Sequence, residues 1–324
     1  MLAKTRLSPA LSCPLRRGIA RALQALLLFV LIPLACPDQV FSAGETAGNF
    51  LKLGIGAKNA AMGETGATES GINALYWNPA GAAEIAGREV SFMHAAWLEG
   101  INFQNFAYAQ NIGPGVIGIS ADFFSSFGMD KYDNTGGRQG TFNASDRTIK
   151  LTYASDVSAT PEKTLVGVTV KFISSDIEDS SARAVAVDAG AYFDTLFEDL
   201  ILGVVFQNLG TPLKFYNRAN SLPLNLKAGI NYLVADGTVV CLDINKAVDT
   251  DFIFNAGGEY LLPVGDETGI AFRGGWRSNT KGLGGSAGLT CGFGIIYSAY
   301  CFDYAFVPYG DLSDTHRVSI SYKF

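Results

Sequence analysis

Histidine and cysteine most often carry chemistry in proteins, and this chain has few of either. Only His94 and His316 occur, near opposite ends of the sequence, so a site with several histidine ligands is excluded. A triad of serine, histidine and carboxylate is conceivable, but we expect no Gly-x-Ser-x-Gly nucleophile elbow. The glycine-rich run 282–285 lacks the Gly-Lys-Ser/Thr ending of a phosphate loop. We therefore predict no catalytic residues, no metal site, no cofactor and no enzymatic activity.

Charged residues are the second group with chemical potential, because they recur on one face of otherwise apolar segments. Side chains that share one face are expected to share the interior of whatever those segments build. Mixed signs predict ion pairs that brace a wall and hold an interior segment, since buried charges need partners. The alternative is a selectivity lining or a site for a ligand headgroup. The predicted lumen-facing charges are Asp122, Lys150, Lys171, Asp188, Lys227, Asp243, Glu259, Arg273 and Asp303.

The segments that carry these charges have the two-residue period of β-strands. In one of them Val166, Val168 and Val170 alternate with Thr169 and Lys171. A lipid-facing Lys or Arg costs about 2–4 kcal/mol at the bilayer midplane, so we assign the charged face to a lumen and the apolar face to lipid. Fourteen antiparallel strands are predicted, an even number as expected for a bacterial outer-membrane β-barrel. They span 88–98, 101–111, 115–125, 145–155, 163–174, 182–194, 199–208, 222–234, 238–246, 251–262, 268–276, 283–290, 294–304 and 315–324.

The last predicted strand ends the chain on an aromatic residue. Val318, Ile320, Tyr322 and Phe324 fall on one face and polar residues on the other. A strand that closes an outer-membrane barrel has this form, and we expect the barrel-assembly machinery to read it. The last strand of a soluble sandwich can alternate in the same way, so the rest of the chain must decide.

The connections between the predicted strands favour a membrane barrel. The longest predicted loops, 126–144, 209–221 and 305–314, all follow odd-numbered strands. The tight turns 113–115 and 235–237 follow even-numbered strands. Long loops outside and short turns in the periplasm are typical of outer-membrane barrels, whereas a soluble sandwich has no reason to separate them.

The composition also fits a chain in contact with outer-membrane lipid. Of the 324 residues 48% are hydrophobic, the mean hydropathy is +0.20, and only 17% are charged, against about 25% in soluble domains. After residue 36 no run of about 18 apolar residues occurs, so no transmembrane helix is predicted there. A β-barrel accounts for a hydrophobic chain without a transmembrane helix, because its lipid-facing residues are interleaved with polar ones. The net charge of −6 and the lack of a basic patch argue against a nucleic-acid partner.

Residues 1–43 have the pattern of a secretory signal peptide. Basic residues up to Arg21 precede an apolar stretch over 22–35, and cleavage is expected near Ala43 or Gly44. A lipoprotein signal ending at Cys36 is the weaker alternative, because Pro33 stands where an aliphatic residue is usual. The predicted localisation is therefore the bacterial outer membrane.

Three cysteines remain beyond the signal peptide. Cys241, Cys291 and Cys301 are an odd number at wide spacing and match no zinc or haem motif. A disulfide is possible, but small filler residues are the favoured interpretation.

Residues 44–87 show no sustained helical or strand period. Small residues dominate, Asn78-Pro79 is typical of a turn or helix start, and Leu75, Tyr76 and Trp77 need an apolar place to dock. A compact segment of this kind could fit inside a barrel as a plug. The alternative is an ordinary loop with one short helix packed on a core.

This stretch also carries a family resemblance. Phe50-Leu51-Lys52-Leu53-Gly54, Ala61-Met62-Gly63 and the run 76–81 resemble the start of mature PorV/PorQ-type proteins, which belong to the wider FadL-like group of outer-membrane barrels. The ending over 302–319 looks like the last hairpin of the same family. The resemblance implies a 14-stranded barrel with an N-terminal plug, or hatch. The residues it transfers form the plug motif Tyr76, Trp77, Asn78, Pro79, Ala80 and Gly81.

Three functions are compatible with the sequence. Resemblance to FadL-like barrels implies a plugged channel for hydrophobic small molecules, gated by plug movement, with an apolar pocket between the loops and the plug. Resemblance to PorV implies an accessory barrel that binds a type IX-like secretion translocon or its cargo. A structural outer-membrane protein without any solute is the third possibility. A secretion role predicts exposed loop aromatics, although an aromatic girdle explains them equally: Phe127, Tyr132, Phe142, Phe215, Tyr216, Phe306 and Tyr309.

Overall fold

A computed structural model describes residues 46–197, 199–216, 218–280 and 283–324. The predicted signal peptide over 1–43 and the first two residues of the predicted plug lie outside this part of the chain. Two short helices, α1 (Ala57–Ala61) and α2 (Ala74–Trp77), and the 3₁₀ turns Asn49–Lys52 and Pro79–Glu84 precede the strands. Among the described residues, no helix is long and apolar enough to cross a membrane.

Fourteen strands close into one antiparallel barrel, which confirms the predicted fold class. The first and last strands close it, with Val90 opposite Tyr322 and Phe92 opposite Ile320. Two further short strands, β8 and β9, form a separate hairpin. In chain order the strands are β1 (Arg88–Ala96), β2 (Asn102–Asn111), β3 (Val116–Tyr132), β4 (Arg138–Asp156), β5 (Thr164–Ile177), β6 (Ser180–Asp194), β7 (Leu200–Gly210), β8 (Leu213–Phe215), β9 (Arg218–Asn220), β10 (Asn225–Ala235), β11 (Thr238–Ala247), β12 (Ile253–Pro263), β13 (Thr268–Arg277), β14 (Leu289–Tyr297), β15 (Tyr300–Pro308) and β16 (Asp314–Lys323).

Side chains alternate between an apolar outer face and the lumen. On β5, Val166 and Phe172 are 39% and 48% exposed on the outside, whereas Lys171 is buried inside. Arg147 and Arg183 also point outward, and each pairs with the same residue of β5, so they lie in one cross-strand row. Because arginine is costly at the bilayer midplane, this row marks the edge of the lipid-facing belt on β4 to β6.

The two ends of the barrel differ in their connections. The longest connections lie at one end, which we name the loop end, and span 211–224 and 278–288. The short turns 236–237 and 298–299 lie at the other, which we name the turn end. Outer-membrane barrels carry long loops outside and short turns in the periplasm, so the loop end faces the exterior.

Two of the predicted strands near the C-terminus were wrong in position. In place of 283–290 and 294–304, the structure has β14 and β15, joined by a tight turn in which Ser298 has φ 51°. Gly284 and Gly285 have φ 69° and 55°, which a strand cannot accommodate, so the chain before Leu289 forms a turn. The number of strands is still fourteen, because only the turn between these two strands lies at a different position, 298–299, from the one predicted.

The predicted loop over 126–144 was also wrong. β3 continues to Tyr132 and β4 begins at Arg138, so both strands run well beyond the lipid-facing belt. The tip is closed by Asp133, whose carboxylate accepts hydrogen bonds from the amides of Thr135 and Gly137 at 2.9 and 2.8 Å. Hydrogen bonds from the side chains of Thr135 and Gln139, together with these two amides, hold the pKa of Asp133 well below its ordinary value. This polar stretch was predicted as a loop because it lacks the apolar alternation of the other strands. A strand outside the bilayer needs no apolar face.

Residues 46–87 lie in the lumen and form the plug. At the loop end, the amide of Ala47 donates to the carbonyl of Ser221 at 2.9 Å. At the turn end, the amide of Asn111 donates to the carbonyl of Gly87 at 2.9 Å. Phe50 packs in an apolar cluster near the loop end. Ile85 packs in a second apolar cluster, against β2 to β4, near the turn end.

Glycines on the lumen face let the plug backbone approach the wall. Gly257 and Gly275 are cross-strand partners on β12 and β13, and a Cβ on either would collide with Met62 or Gly63 of the plug. Close approach of another backbone is one of the recognised uses of glycine within strands. A Cβ at Gly118, Gly167, Gly190, Gly203 or Gly292 would likewise come too close to an atom of the plug.

Candidate functional site

A cavity of about 720 Å³ lies at the loop end, between the plug and the wall. Trp97, Phe252 and Tyr309 stand near its mouth, and Tyr76 and Trp77 reach it from the plug. Its position is the one that the transport hypothesis predicts. Its lining differs from the expected apolar surface, because seven carboxamide residues contribute to it: Asn49, Gln207, Asn208, Asn225, Asn245, Asn255 and Asn279.

The two aromatic residues of the plug motif are held from several sides. The Trp77 indole donates to the carbonyl of Ile55 at 3.0 Å, and the Tyr76 hydroxyl donates to that of Leu51 at 3.1 Å. The two rings meet edge to face, with centroids 5.0 Å apart. From the wall, the Lys227 ammonium lies 4.3 Å from the centroid of the Trp77 ring, a cation–π contact. The rings are therefore fixed surfaces on the plug side of the cavity.

The rest of the plug motif shapes the plug and does not line the cavity. The Asn78 amide donates to the carbonyls of Ala67 at 2.6 Å and Ala191 at 3.1 Å. Its side-chain oxygen accepts from the Ala80 amide at 3.1 Å and so caps the 3₁₀ turn Pro79–Glu84, which includes Gly81. Proline is favoured at such a start because its missing N–H would be unpaired there in any case.

All nine predicted lumen charges face the interior, and they pair with one another. Asp243 also accepts hydrogen bonds from the amides of Gly66 and Ala67 at 2.7 and 2.9 Å, which ties the plug to the wall. This pairing favours the bracing interpretation over an open selectivity lining. The N···O distances are 2.5 Å for Lys150–Asp122, 2.7 Å for Lys171–Asp188, 3.8 Å for Lys227–Asp243, and 2.5 and 2.6 Å from Arg273 to Glu259 and Asp303.

The ion cluster around Glu64, a residue of the plug, was not predicted from the sequence. Its carboxylate accepts from Arg317 Nη2 at 3.1 Å and lies 3.3 Å from Arg277 Nη1. Burial by itself raises the pKa of Glu64, but the two guanidinium groups outweigh burial and hold that pKa below its ordinary value. Strand alternation places both arginines in the lumen. Glu64 had no such signal, because the plug has no periodic pattern.

A second cavity, of about 120 Å³, lies on the other side of the plug, toward the turn end. Met62, Thr65 and Gly66 line it, whereas Glu64 lines the larger cavity. The turn 62–66 therefore separates the two spaces.

This turn is strained and is held by the wall. Gly63 and Glu64 have φ 68° and 63°, and the left-handed region is unfavourable for a residue such as glutamate. Asn255 donates to the Gly63 carbonyl at 2.5 Å, and Thr290 Oγ1 accepts from the Gly63 amide at 3.0 Å. Strain that contacts hold in place is typical of elements that move in function.

The residues considered for catalysis lie apart from the cavity. His94 is half-buried on β1, opposite Val318 of β16. His316 is on the outer face, where its Nδ1 lies 2.7 Å from the Tyr304 hydroxyl, as an interface residue would. Contrary to our expectation, the run 284–288 does have the Gly-x-Ser-x-Gly spacing. However, Ser286 lies exposed in the connection before β14 and not between a strand and a helix, as an elbow requires.

In the described part of the chain, no group of three or more His, Cys, Asp or Glu side chains is placed to hold a metal ion. Cys241, Cys291 and Cys301 are free thiols.

The loop aromatics divide into three groups. Phe127, Tyr132 and Tyr216 are 69%, 59% and 83% exposed at the loop end. Phe142 and Phe215 are half-buried. Phe306 stacks near His316 and Tyr309 near Trp97, so these two are occupied within the protein.

A closed barrel with an apolar belt, a charged lumen and an internal plug defines the class as a plugged outer-membrane β-barrel. The comparison with solved structures agrees. The toluene transporter TodX of Pseudomonas putida matches with a TM-score of 0.54 at 13% identity, over 88% of this chain and 98% of that chain. A deltaS2S3 mutant of TodX, described as a monoaromatic hydrocarbon channel, matches with a TM-score of 0.54 at 14% identity, over 84% and 99%.

At this level of identity the likeness concerns the fold. No protein-family model matches the sequence, and neither does any curated protein. In fold, the chain resembles the TodX barrel, and its architecture is that of a protein of the bacterial outer membrane.

Proposed function

We propose that the protein is a non-enzymatic, plugged outer-membrane channel that admits small hydrophobic molecules. The observation that carries this proposal is the cavity at the loop end. Its volume of about 720 Å³ falls in the range of about 300–1,000 Å³ typical of small-molecule pockets. Leu51, Leu53, Trp77 and Phe252 give it apolar surface that a hydrophobic molecule can cover.

The turn 62–66 is the proposed gate. A displacement of this turn would join the outer cavity to the inner one, because residues of the turn line both. The contacts of Glu64 with Arg277 and Arg317 hold the gate closed, and we name them the latch. A ligand that binds better when the turn has moved would shift the equilibrium toward an open path.

Uptake of radiolabelled toluene by a bacterial host with an intact lipopolysaccharide outer membrane tests this proposal. Expression of the protein should raise uptake above that of the same host without it. Ala247→Trp should abolish the increase, because Ala247 is buried and lines the cavity. Val248→Trp is the matched control, since the neighbouring residue does not line the cavity. Equal uptake with and without the protein would refute the channel.

The exposed loop aromatics support a second candidate function. Phe127 and Tyr132 lie on the hairpin of β3 and β4, beyond the row of Arg147 and Arg183, so lipid does not account for them. Together with the resemblance of the plug motif to PorV/PorQ-type proteins, they support an accessory barrel that binds a type IX-like translocon or its cargo. Mild extraction should then recover a large partner complex that Phe127→Ser with Tyr132→Ser disrupts, and recovery of the barrel alone would argue against it.

Two partners follow from the architecture as proposals. Outer-membrane lipid is expected to cover the apolar belt. The C-terminal strand, which ends in Tyr322 and Phe324 on the outer face, supports recognition by the barrel-assembly machinery.

A further inference from the structure

Carboxamides form a row across neighbouring strands of the cavity wall. Asn225 lies on β10, Asn245 on β11 and Asn255 on β12, and all three line the cavity. The row continues to β7, because Gln207 is the cross-strand partner of Asn225 and accepts a hydrogen bond from its amide at 3.0 Å. This arrangement places polar atoms of one kind along one side of a partly apolar pocket.

The side-chain oxygens of the three asparagines in this row lack partners in the described part of the chain. Within the described residues, the side-chain oxygens of Asn225, Asn245 and Asn255 accept no hydrogen bond. The Thr250 hydroxyl, which also lines the cavity, has no partner there either. Buried polar atoms are normally satisfied, so a cluster of exceptions in one cavity calls for an explanation. Because carboxamide oxygens accept hydrogen bonds, the missing group is a donor such as O–H or N–H.

The cations that line the cavity are already matched by carboxylates. Lys52 lies 2.9 Å from Asp249, and Lys227 lies 3.8 Å from Asp243. Arg277 is paired with Glu64, as described above. An anionic ligand would have to displace one of these carboxylates, whereas an uncharged ligand leaves all three pairs in place.

The plug side of the cavity supplies apolar surface from Trp77 and the two plug leucines, and Phe252 of the wall adds to it. We propose, on the basis of the channel function, that this site selects uncharged ring molecules carrying a hydrogen-bond donor group over bare hydrocarbons of the same size. The ring packs on the apolar side, and the donor reaches the carboxamide row. The site thereby discriminates by a polar group that a purely apolar pocket could not recognise.

Phenol, anisole and toluene are matched probes for this inference. Anisole is phenol with its hydroxyl methylated, so it keeps the ring and the oxygen but loses the donor. Binding is measured by saturation-transfer NMR with the protein in lipid nanodiscs, with empty nanodiscs as the blank. One net neutral hydrogen bond predicts that phenol binds about fivefold more tightly than anisole or toluene.

Asn245→Leu tests the row itself. Asn245 is half-buried and, among the residues that the structure describes, its side-chain oxygen has no hydrogen-bond partner, so its replacement leaves the anchors of the plug in place. The preference for phenol over anisole should disappear, while anisole binding persists and shows that the cavity is intact. Asn231→Leu is the matched control, because Asn231 lines the cavity on the other side of the plug. It should retain the preference.

The outcomes separate the two proposals. If anisole or toluene binds as tightly as phenol, the donor preference is refuted while the hydrophobic channel stands. If the preference survives in Asn245→Leu, the carboxamide row is not its source and the inference falls. If none of the three probes binds, both the inference and the channel proposal fail.

Discussion

Replacing Glu64 by glutamine should loosen the plug and leave the barrel closed. Glutamine keeps the shape of the side chain but removes the negative charge that faces Arg277 and Arg317. The side chains of these arginines are 2% and 0% exposed, and that of Glu64 is 15% exposed, so water screens the cluster poorly. Removing one partner of a buried ion pair costs about 3–5 kcal/mol.

The lower end of that range applies here, because each arginine keeps one neutral acceptor. Arg277 donates to the Tyr309 hydroxyl at 3.1 Å, and Arg317 donates to the Gly54 carbonyl at 2.7 Å. A loss of about 3 kcal/mol is a factor of roughly 100 in the population of the displaced turn. Amides of residues 57–68 should therefore exchange with deuterium about 100-fold faster, while the strand amides keep their protection.

Hydrogen-exchange mass spectrometry of the protein in nanodiscs measures this effect. Glu84→Gln is the matched control, because Glu84 is also on the plug and pairs with Lys163 at 2.9 Å. The two side chains of that pair are 29% and 50% exposed, so its loss should cost no more than about 1 kcal/mol. If Glu64→Gln exchanges no faster than Glu84→Gln, the latch does not hold the turn. If the barrel strands lose protection as well, the cluster stabilises the whole fold and does not act as a latch.

Three further predictions concern the lumen. Gly275→Val should lower the free energy of unfolding in urea by about 1–3 kcal/mol by overpacking against the plug, whereas Gly274→Val, on the open outer face, should not. Lys171→Met should cost about 3–5 kcal/mol in the same assay, since it leaves Asp188 buried without its cation, and adding Asp188→Leu should recover part of the loss. Because the folded pKa of Glu64 lies below its ordinary value of 4.5, the latch is fully present above that pH and is lost as pH falls through the folded pKa. Plug exchange in wild-type protein should therefore accelerate only below the ordinary pKa of glutamate, and Glu64→Gln should lack this pH dependence.

The barrel could be predicted from the sequence because its pattern is local. Val166 and Phe172 face outward and Lys171 inward for the same reason on every strand: lipid excludes charge, and a strand alternates its faces. The nine lumen charges were identified by that rule alone. The rule failed beyond Phe123 on the hairpin of β3 and β4, because these residues lie outside the bilayer. It also failed at the start of β14, because Gly284 and Gly285 adopt positive φ angles that end the strand pattern.

The sequence indicated where the plug and the cavity lie in the barrel, but not which residues meet there. The segment 44–87 was predicted to be compact and rich in small residues, yet which of its residues meets which wall residue depends on contacts across the whole chain. Gly275, for example, is small because Gly63 lies against it, more than two hundred positions away in the sequence. The carboxamide row was missed for a related reason, since Asn225, Asn245 and Asn255 look like ordinary polar positions of separate strands.

The sequence by itself therefore determined the barrel, the faces of its strands and the presence of an internal segment. The barrel and the faces of its strands follow from the two-residue period, and the internal segment follows from small residues without such a period. Only the tertiary structure decided the latch at Glu64, the separation of the two cavities and the polar side of the outer cavity. These depend on the register between a plug without periodicity and a closed wall, and that register exists only after the cylinder has formed.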